Sequence, residues 1–251
     1  MTQEDTMKLP DVLKNALQIK QVYDKSGETI PLSSNVSLQE ATELYQAVHF
    51  LKPSVSAEVG LAHGISTMAI LQALQDNQKG VHHVMDPHQA SYAYSGPTMI
   101  QKANLSSRFR FYEKFAEEVF PSLPPLQFVF IDASHLFDLT LTEFVLADKK
   151  LETNGLIAFH DMWMPSLQKV IRYILANRSY ELWKLPGEKT PSYNHPRWKR
   201  IIVSLARSLS ASRRFFRPEF LNPWSTLSIS NLVILRKTSE DKRDWRFHNE
   251  F

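Results

Sequence analysis

The sequence predicts a doubly wound α/β fold built on a seven-stranded, mostly parallel sheet. Three observations favour it: short apolar runs alternate with helical stretches after Pro53, glycines follow the first run, and acids close several runs. Such alternation is typical of βαβ units. We expect a helical N-terminal cap over residues 1–50, a main domain over 51–251 and, within it, a basic insertion over 186–226 before the last strand.

The composition fits a globular protein without thiol or disulfide chemistry. The chain has 251 residues, of which 43% are hydrophobic and 22% charged, so it can bury a sizeable core. Cysteine is absent, which excludes disulfides, zinc ribbons, iron–sulfur clusters and thiol catalysis. The N-terminus is polar and acidic, and no run reaches the roughly 18 apolar residues of a spanning helix. We therefore expect a cytoplasmic protein without a transmembrane segment.

Two helical patterns precede the alternating region. Apolar side chains recur at helical spacing between Pro10 and Val22, and a second helix is predicted from Ser37. Ser37 and Glu40 stand three residues apart, ahead of an apolar helical face, which is the pattern of a capping box. These helices make up the expected cap.

Seven strands and four further helices are predicted after the cap. The strands are Ser54–Val59, Val81–Met85, Arg108–Tyr112, Leu126–Ile131, Leu156–Phe159, Tyr180–Leu185 and Leu232–Arg236. The helices are Ser66–Leu74, Thr98–Ala103, Leu139–Leu151 and Ser166–Ala176. Crossover helices between strands indicate parallel pairing.

The first of these strands ends in an acid-x-Gly-x-x-x-Gly pattern formed by Glu58, Gly60 and Gly64. Gly60 permits a tight turn, Gly64 permits a ligand to approach the backbone, and the helix near Ser66 offers free N–H groups at its start. A nucleotide-like ligand is one interpretation, and an ordinary glycine turn is the other. The spacing matches neither the dinucleotide motif nor a P-loop.

The second strand ends at Asp86, in register with the glycine pattern. In doubly wound folds, an acid at this strand end accepts hydrogen bonds from the ribose hydroxyls of a bound nucleoside. Pro87 follows, so a turn-forming Asp-Pro is the alternative. The combination with the glycine pattern favours the nucleoside interpretation.

Two later strands also end in acids. Asp132 closes one apolar run, and His160 with Asp161 closes the next. If these strands are neighbours, about 4.8 Å apart, their terminal carboxylates converge at one edge of the sheet. A divalent metal would relieve the repulsion between them: magnesium by default, or manganese because His160 adds an imidazole. A structurally hydrogen-bonded histidine is the alternative for His160.

The runs IDASH, VLADKKL and IAFHDMW, with the turn at Asn154-Gly155, resemble a known family. They are similar to class I S-adenosylmethionine-dependent methyltransferases of the macrocin O-methyltransferase and cephalosporin-hydroxylase group. The layout is more distantly similar to catechol O-methyltransferase. The resemblance covers about residues 37–176 and implies a Rossmann-like methyltransferase fold with S-adenosyl-L-methionine as cofactor. The implied cofactor-binding residues are Glu58, Gly60, Gly64, Ser66 and Asp86.

The resemblance also assigns roles at the two later strand ends. It implies metal ligands at Asp132, His160 and Asp161, and a general base at His135, which with Asp132 forms the catalytic pair. The family carries Asn or an acid where this chain has His160. Capping of the following helix is the alternative role for His135.

The resemblance implies metal-assisted O-methylation of a hydroxyl on a small molecule or sugar, with Mg²⁺ or Mn²⁺. One alternative function is a non-catalytic cofactor-binding or scaffold protein of the same fold. The other is a nucleotide-dependent oxidoreductase, which the glycine spacing disfavours. Fold alone does not decide among these functions.

Basic charge is concentrated near the C-terminus. Residues 194–251 carry 12 Lys and Arg against 5 Asp and Glu, whereas residues 1–193 carry 17 against 21. Such a segment is most often a solvated face or an oligomer contact. A lid that closes over an anionic acceptor through Arg213 and Arg214 is the second interpretation. Nucleic-acid binding is the third, because no RNA-binding motif accompanies the arginines.

Overall fold

The computed structural model describes residues 8–186 and 231–251. Within them, helices and strands alternate as the sequence predicts. In chain order the elements are α1 (Asp11–Ile19), β1 (Gln21–Tyr23), β2 (Thr29–Pro31), α2 (Leu38–Leu51), β3 (Val55–Val59), α3 (Ile65–Asp76), β4 (Val81–Met85), α4 (Ser95–Lys102), β5 (Phe109–Tyr112), α5 (Ala116–Val119), β6 (Leu126–Ile131), α6 (Phe137–Asp148), β7 (Leu151–Phe159), α7 (Pro165–Asn177), β8 (Tyr180–Leu182) and β9 (Val233–Lys237).

Seven strands form one sheet in the order β5-β4-β3-β6-β7-β9-β8. The five strands from β5 to β7 in this order pair in parallel, and β9 runs antiparallel to both β7 and β8. The predicted mostly parallel, doubly wound sheet is confirmed. Strands β4 and β6 lie on opposite sides of β3, so the order reverses there, and ligands of such sheets bind at the carboxyl ends of the strands beside this point.

Strands β6 and β7 are apolar and buried over Phe128–Ile131 and Leu156–Phe159, as expected where both faces of a sheet are covered. In β6, Phe128, Val129 and Phe130 are all fully buried. Burial on both faces removes the alternation of polar and apolar residues that marks a half-exposed strand. The strand ends, where polar residues begin, therefore carry the chemistry.

The N-terminal cap is not wholly helical, which corrects the prediction. The helix predicted from Pro10 to Val22 ends at Ile19, because Lys20 adopts a left-handed conformation with φ 57°. Strand β1 then pairs with β2 in a two-stranded antiparallel sheet. Asp24 Oδ1 closes the hairpin by accepting hydrogen bonds from the N–H groups of Ser26 and Glu28. The local turn chemistry overrides the helical spacing.

The capping box at the start of α2 forms as predicted. Glu40 N donates to Ser37 Oγ at 3.3 Å, and Ser37 N donates to Glu40 Oε2 at 2.6 Å. The helix packs its buried face against α3, and Tyr45 hydroxyl donates to Asp76 Oδ2 at 2.6 Å. The cap thereby sits directly on the helix that follows the glycine pattern.

Strand β7 is longer than predicted. It begins at Leu151 rather than Leu156, and its register against β6 shifts between the first pair and Phe128–Leu156. The Asn154-Gly155 turn therefore lies inside the strand as an irregularity, with Asn154 at φ 70°. Between these two pairs β6 advances by two residues and β7 by five, so β7 carries three extra residues, more than the single one of a simple bulge.

The basic insertion predicted over 186–226, including Arg213 and Arg214, lies outside the described residues except for Pro186. In the described part of the chain, the helices are too short or too polar to cross a bilayer.

Candidate active site

The loop after β3 turns on two glycines with left-handed backbone, Gly60 at φ 94° and Gly64 at φ 78°. A Cβ on Gly60 would lie 2.2 Å from the backbone oxygen of Asp132, so glycine lets the ends of β3 and β6 approach each other. A Cβ on Gly64 would lie 3.1 Å from the backbone oxygen of Gly96. The space beside Gly64 is thus taken by the first turn of α4.

Glu58 is fully buried beneath this loop. It accepts hydrogen bonds from the hydroxyls of Ser66 at 2.5 Å and Thr67 at 2.8 Å, and its Oε2 lies 2.8 Å from His82 Nε2. The carboxylate therefore ties the start of α3 to β3 and β4. Glu58 and Ser66 shape the loop from inside the fold, and their direct contact with a cofactor stays a prediction.

Asp86 holds the same loop from the end of β4. Its Oδ2 accepts hydrogen bonds from the backbone N–H groups of Leu61 and Ala62 at 3.1 and 2.9 Å. The same oxygen accepts from Gln89 Nε2, and Oδ1 accepts from the N–H of His88. Asp86 is thus in register with the glycine pattern, and its predicted contact with a ribose stays a prediction.

Asp132, His135 and Asp161 meet beyond the ends of β6 and β7. His135 Nε2 lies 3.2 Å from Asp132 Oδ1 and 2.8 Å from Asp161 Oδ2. Within the described residues, these three side chains offer ligand atoms that all lie within 4.8 Å of one another. The two strands are parallel neighbours, as the convergence argument required, which brings both carboxylates to one edge of the sheet.

The backbone around this cluster is strained at two positions. His135 and Asp161 adopt left-handed conformations at φ 57° and 56° without being glycine. Such conformations cost about 1–3 kcal/mol each and gather at functional sites. The loop bearing His135 is also held to α7, because Ser166 hydroxyl donates to the His135 carbonyl at 2.8 Å.

His160 lies buried behind the cluster. Its Nδ1 lies 3.4 Å from Asp132 Oδ1 and 3.5 Å from Asp161 Oδ1, and its Nε2 lies 3.4 Å from Glu40 Oε2. The amide nitrogen of Asn231 lies 3.0 Å from the same Nε2. The imidazole thus stands between the two strand-end carboxylates and the N-terminal cap.

These contacts set the charges of the site. Burial opposes charge on Asp132, but hydrogen bonds from His135 and His160 hold its pKa at about 2. Burial also opposes the charge on His160. The carboxylates of Asp132 and Glu40 outweigh this effect of burial and raise the pKa of His160 to about 10. The hydrogen bond to Asp132 raises the pKa of His135. An imidazole with a raised pKa is a stronger proton acceptor when neutral.

The structure brings the predicted residues of the later strand ends into one group, with one difference in grouping. His135, predicted as the base, joins the two carboxylates in the metal-capable set, and His160 faces them from behind. The capping alternative for His135 is not observed, because α6 has Leu136 at its N-cap and no side-chain cap. The individual roles of base and ligand stay predictions.

Two contacts at the site have no signal in the sequence. Glu40 reads as a capping residue, and only the fold places it beside His160. Trp163 is 68% exposed, and its Nε1 donates to Asp161 Oδ1 at 2.9 Å. Neither could be found from spacing, because each joins residues through tertiary packing or loop geometry.

Residues 57–162 match a family model described as a methyltransferase domain. A comparison with curated protein sequences finds no match.

Solved structures share the fold at low sequence identity. An O-methyltransferase from Bacillus cereus in complex with SAH is 18% identical, with a TM-score of 0.57 over 69% of this chain and 83% of that one. The SAH-bound methyltransferase PaMTH1 from Podospora anserina is 15% identical, with a TM-score of 0.56 over 72% and 85% of the two chains. The O-methyltransferase TomG from Streptomyces achromogenes, involved in tomaymycin synthesis and bound to SAM, is 16% identical, with a TM-score of 0.54 over 69% and 81%.

Proposed function

We propose that the chain transfers the methyl group of S-adenosylmethionine to a hydroxyl of a small molecule or sugar. The match of residues 57–162 to a methyltransferase-domain model and the mostly parallel seven-stranded sheet support this proposal. The cofactor lies across the carboxyl ends of β3 and β4, along the glycine loop. The acceptor lies beside the Asp132, His135 and Asp161 cluster. A cytoplasmic location and assembly into a homo-oligomer belong to the same proposal, and both rest on the sequence alone.

One observation carries this proposal: the acid–imidazole cluster directly adjoins the glycine loop. The backbone oxygen of Asp132 occupies the space that a Cβ on Gly60 would need, and Asp132 N donates to Val59 O at 2.9 Å. A cofactor bound along the glycine loop therefore lies next to the cluster, and an acceptor bound beside that cofactor lies within reach of His135. Proximity and orientation of this kind supply much of the acceleration in group transfer.

The residues also fit a divalent metal. Ligand atoms of Asp132, Asp161 and His135 all lie within 4.8 Å of one another, and carboxylate oxygen and imidazole nitrogen are ligands that divalent metals accept. When bound, such a metal would supply Lewis-acid stabilisation of an acceptor alkoxide. Asp132, Asp161 and either His135 or His160 would hold it.

In this proposal, His135 accepts the proton of the acceptor hydroxyl. Its ring lies at the rim of the cluster, about 30% exposed, and Asp132 orients it through Nε2 at 3.2 Å. The proton of the acceptor hydroxyl moves to a ring nitrogen as the oxygen bonds to the methyl carbon and the sulfonium bond breaks. Methyl transfer then leaves S-adenosylhomocysteine and the methyl ether.

Calorimetry with S-adenosylmethionine, S-adenosylhomocysteine and NAD, each with and without Mg²⁺ or Mn²⁺, tests the cofactor. We expect the two adenosyl compounds to bind and NAD to fail. Tight binding of NAD alone would replace the proposal with an oxidoreductase. Transfer of an isotopically labelled methyl group to a panel of hydroxyl compounds then separates an enzyme from a scaffold that only binds the cofactor.

The variants His135→Asn and Asp138→Asn make a matched pair for the same assay. Asp138 is exposed on the first turn of α6, three residues from His135, and its side chain has no hydrogen bond or ion pair to the cluster in the described part of the chain. We expect loss of transfer in the first variant, unchanged transfer in the second, and unchanged S-adenosylhomocysteine affinity in both. Full transfer by His135→Asn would remove this histidine as the base.

A further inference from the structure

We propose that Glu40, on the N-terminal helix, is a positioning residue that orients His160 as a nitrogen ligand, so that the site prefers Mn²⁺ over Mg²⁺. The inference rests on the metal assistance proposed above. It adds a residue from outside the matched range 57–162 and a metal preference that carboxylates alone would not create.

Glu40 is held rigidly from its own helix. Its Oε2 accepts a hydrogen bond from the Ser37 N–H at 2.6 Å in the capping box and lies 3.4 Å from His160 Nε2. Both side chains are buried, with 11% of Glu40 and 7% of His160 exposed. A buried carboxylate fixed at one oxygen has little freedom to turn away from the ring.

The two ring nitrogens of His160 face opposite sides. Nε2 faces Glu40 and Asn231, while Nδ1 faces the carboxylates of Asp132 and Asp161 at 3.4 and 3.5 Å. Ligand atoms around one six-coordinate ion are about 3 Å apart when each bond is about 2.1 Å long. The Nδ1 separations are close to this spacing.

Asn231 supports a proton on Nε2. Its Oδ1 is buried and has no hydrogen-bond partner within residues 8–186 and 231–251, while its amide nitrogen lies 3.0 Å from Nε2. With the amide turned, Oδ1 accepts from the Nε2–H and the unpaired oxygen is satisfied. Glu40, as a carboxylate, can only accept. With Glu40 and Asn231 on the Nε2 side of the ring, Nδ1 is the nitrogen that faces the carboxylates of Asp132 and Asp161 and is available as a ligand atom.

This arrangement is the one that accompanies metal-bound histidines. The ring nitrogen away from the metal donates to a carboxylate or carbonyl, which fixes the tautomer and the orientation of the ring. Imidazole nitrogen is a poor ligand for Mg²⁺, which prefers oxygen, whereas first-row transition metals accept it readily. A site of two carboxylates and one such nitrogen therefore favours Mn²⁺.

The test loads the full-length protein with Mn²⁺ alone and needs no acceptor. Paramagnetic resonance titration gives the affinity, and electron spin echo modulation detects coupling to a coordinated ¹⁴N. We expect ¹⁴N coupling in the wild type, its loss in His160→Asn and its retention in His135→Asn. Competition with Mg²⁺ should show a Mn²⁺ preference that falls by about tenfold or more in His160→Asn.

Three variants separate positioning from stability. Glu40→Ala removes the acceptor and should weaken Mn²⁺ binding by about 10–100-fold. Glu40→Gln keeps the capping box and one acceptor oxygen, so it should recover part of that affinity. Ser37→Ala removes the capping hydroxyl without touching His160, and it should lower the melting temperature while leaving Mn²⁺ affinity and ¹⁴N coupling unchanged.

Each result of these experiments either supports or overturns the inference. Persistent ¹⁴N coupling in His160→Asn, or Mn²⁺ affinity in Glu40→Ala equal to that of Ser37→Ala, overturns the inference and leaves the proposed function intact. A wild type that binds neither metal overturns this inference and the metal assistance together. Binding of S-adenosylhomocysteine, measured on the same samples, reports separately on the methyltransferase proposal.

Discussion

Glu143→Gln should stabilise the protein, and the gain should grow with pH. Glu143 lies on α6, where its Oε2 is shielded from solvent and has no hydrogen-bond partner among the described residues. Burial raises the pKa of this carboxyl to about 7; His135 opposes the rise, and Glu117 and Asp132 add to it. Glutamine keeps the shape of the side chain and never ionises.

The size and direction of the effect follow from that pKa. The ordinary pKa is 4.5, and each pKa unit corresponds to about 1.4 kcal/mol, so ionising Glu143 in the fold costs at most about 3.5 kcal/mol. Below pH 4.5 the carboxyl is protonated in both folded and unfolded states, and the cost is absent. Between pH 4.5 and 7 the unfolded state ionises first, so the wild type loses stability relative to the variant. Above pH 7 the difference reaches its plateau.

Urea unfolding followed by tryptophan fluorescence at pH 5, 6, 7 and 8 measures the difference. Asp138→Asn, at an exposed position on the same helix, serves as the control and should show a difference that does not change with pH. Glu117→Gln removes one source of repulsion and should show a smaller rise of the same sign. A difference between Glu143→Gln and wild type that stays constant from pH 5 to 8 would refute the reasoning.

Three further outcomes are expected. Gly60→Ala should be destabilised by at least 1–2 kcal/mol in thermal unfolding, because its φ is left-handed and the new Cβ would meet the Asp132 carbonyl at 2.2 Å; a wild-type melting temperature would contradict this. Asp86→Ala should lose about 1–3 kcal/mol of S-adenosylhomocysteine affinity in calorimetry, and unchanged affinity would remove Asp86 from the site. Asp132→Asn and Asp161→Asn should each suppress methyl transfer while their affinity for the cofactor is unchanged. A chelator should abolish the activity of the wild type, and added Mg²⁺ or Mn²⁺ should restore it. Full activity in the presence of the chelator would refute the metal hypothesis.

The loop and strand ends show how far local pattern reaches. Apolar runs that end in acids identified β6 and β7, because a strand buried on both faces leaves little room for polar residues before its end. Strands β3 and β4 were also predicted, although Ser56, Glu58 and His82 are buried within them. The turns at Gly60 and Gly64 could be predicted in the same way, since glycine after a strand indicates a turn that uses left-handed backbone. The hairpin of β1 and β2 was missed because the helical spacing of apolar residues between Pro10 and Val22 runs into β1, where the turn at Asp24 sets the conformation instead.

Which residues lie beside one another at the site could not be predicted from local pattern alone. We predicted that Asp132 and Asp161 converge only if their strands are neighbours. Strands β6 and β7 do pair side by side in the sheet. Gly64 was expected to face a ligand, and the fold places the backbone of Gly96 beside it. Glu58 was expected at the cofactor, and its carboxylate is engaged by two hydroxyls and a histidine inside the fold.

Periodicity and turn chemistry are local properties of the chain, so the alternation of strands and helices, the parallel sheet and the residues at its carboxyl edge could be predicted from the residues alone. Which side chains meet at that edge depends on the packing of the whole fold. Glu40 reaches His160 across 120 positions of sequence, and Asn231 reaches the same ring across 71. Contacts of that range depend on how helices pack on the finished sheet, and no spacing along the chain encodes them.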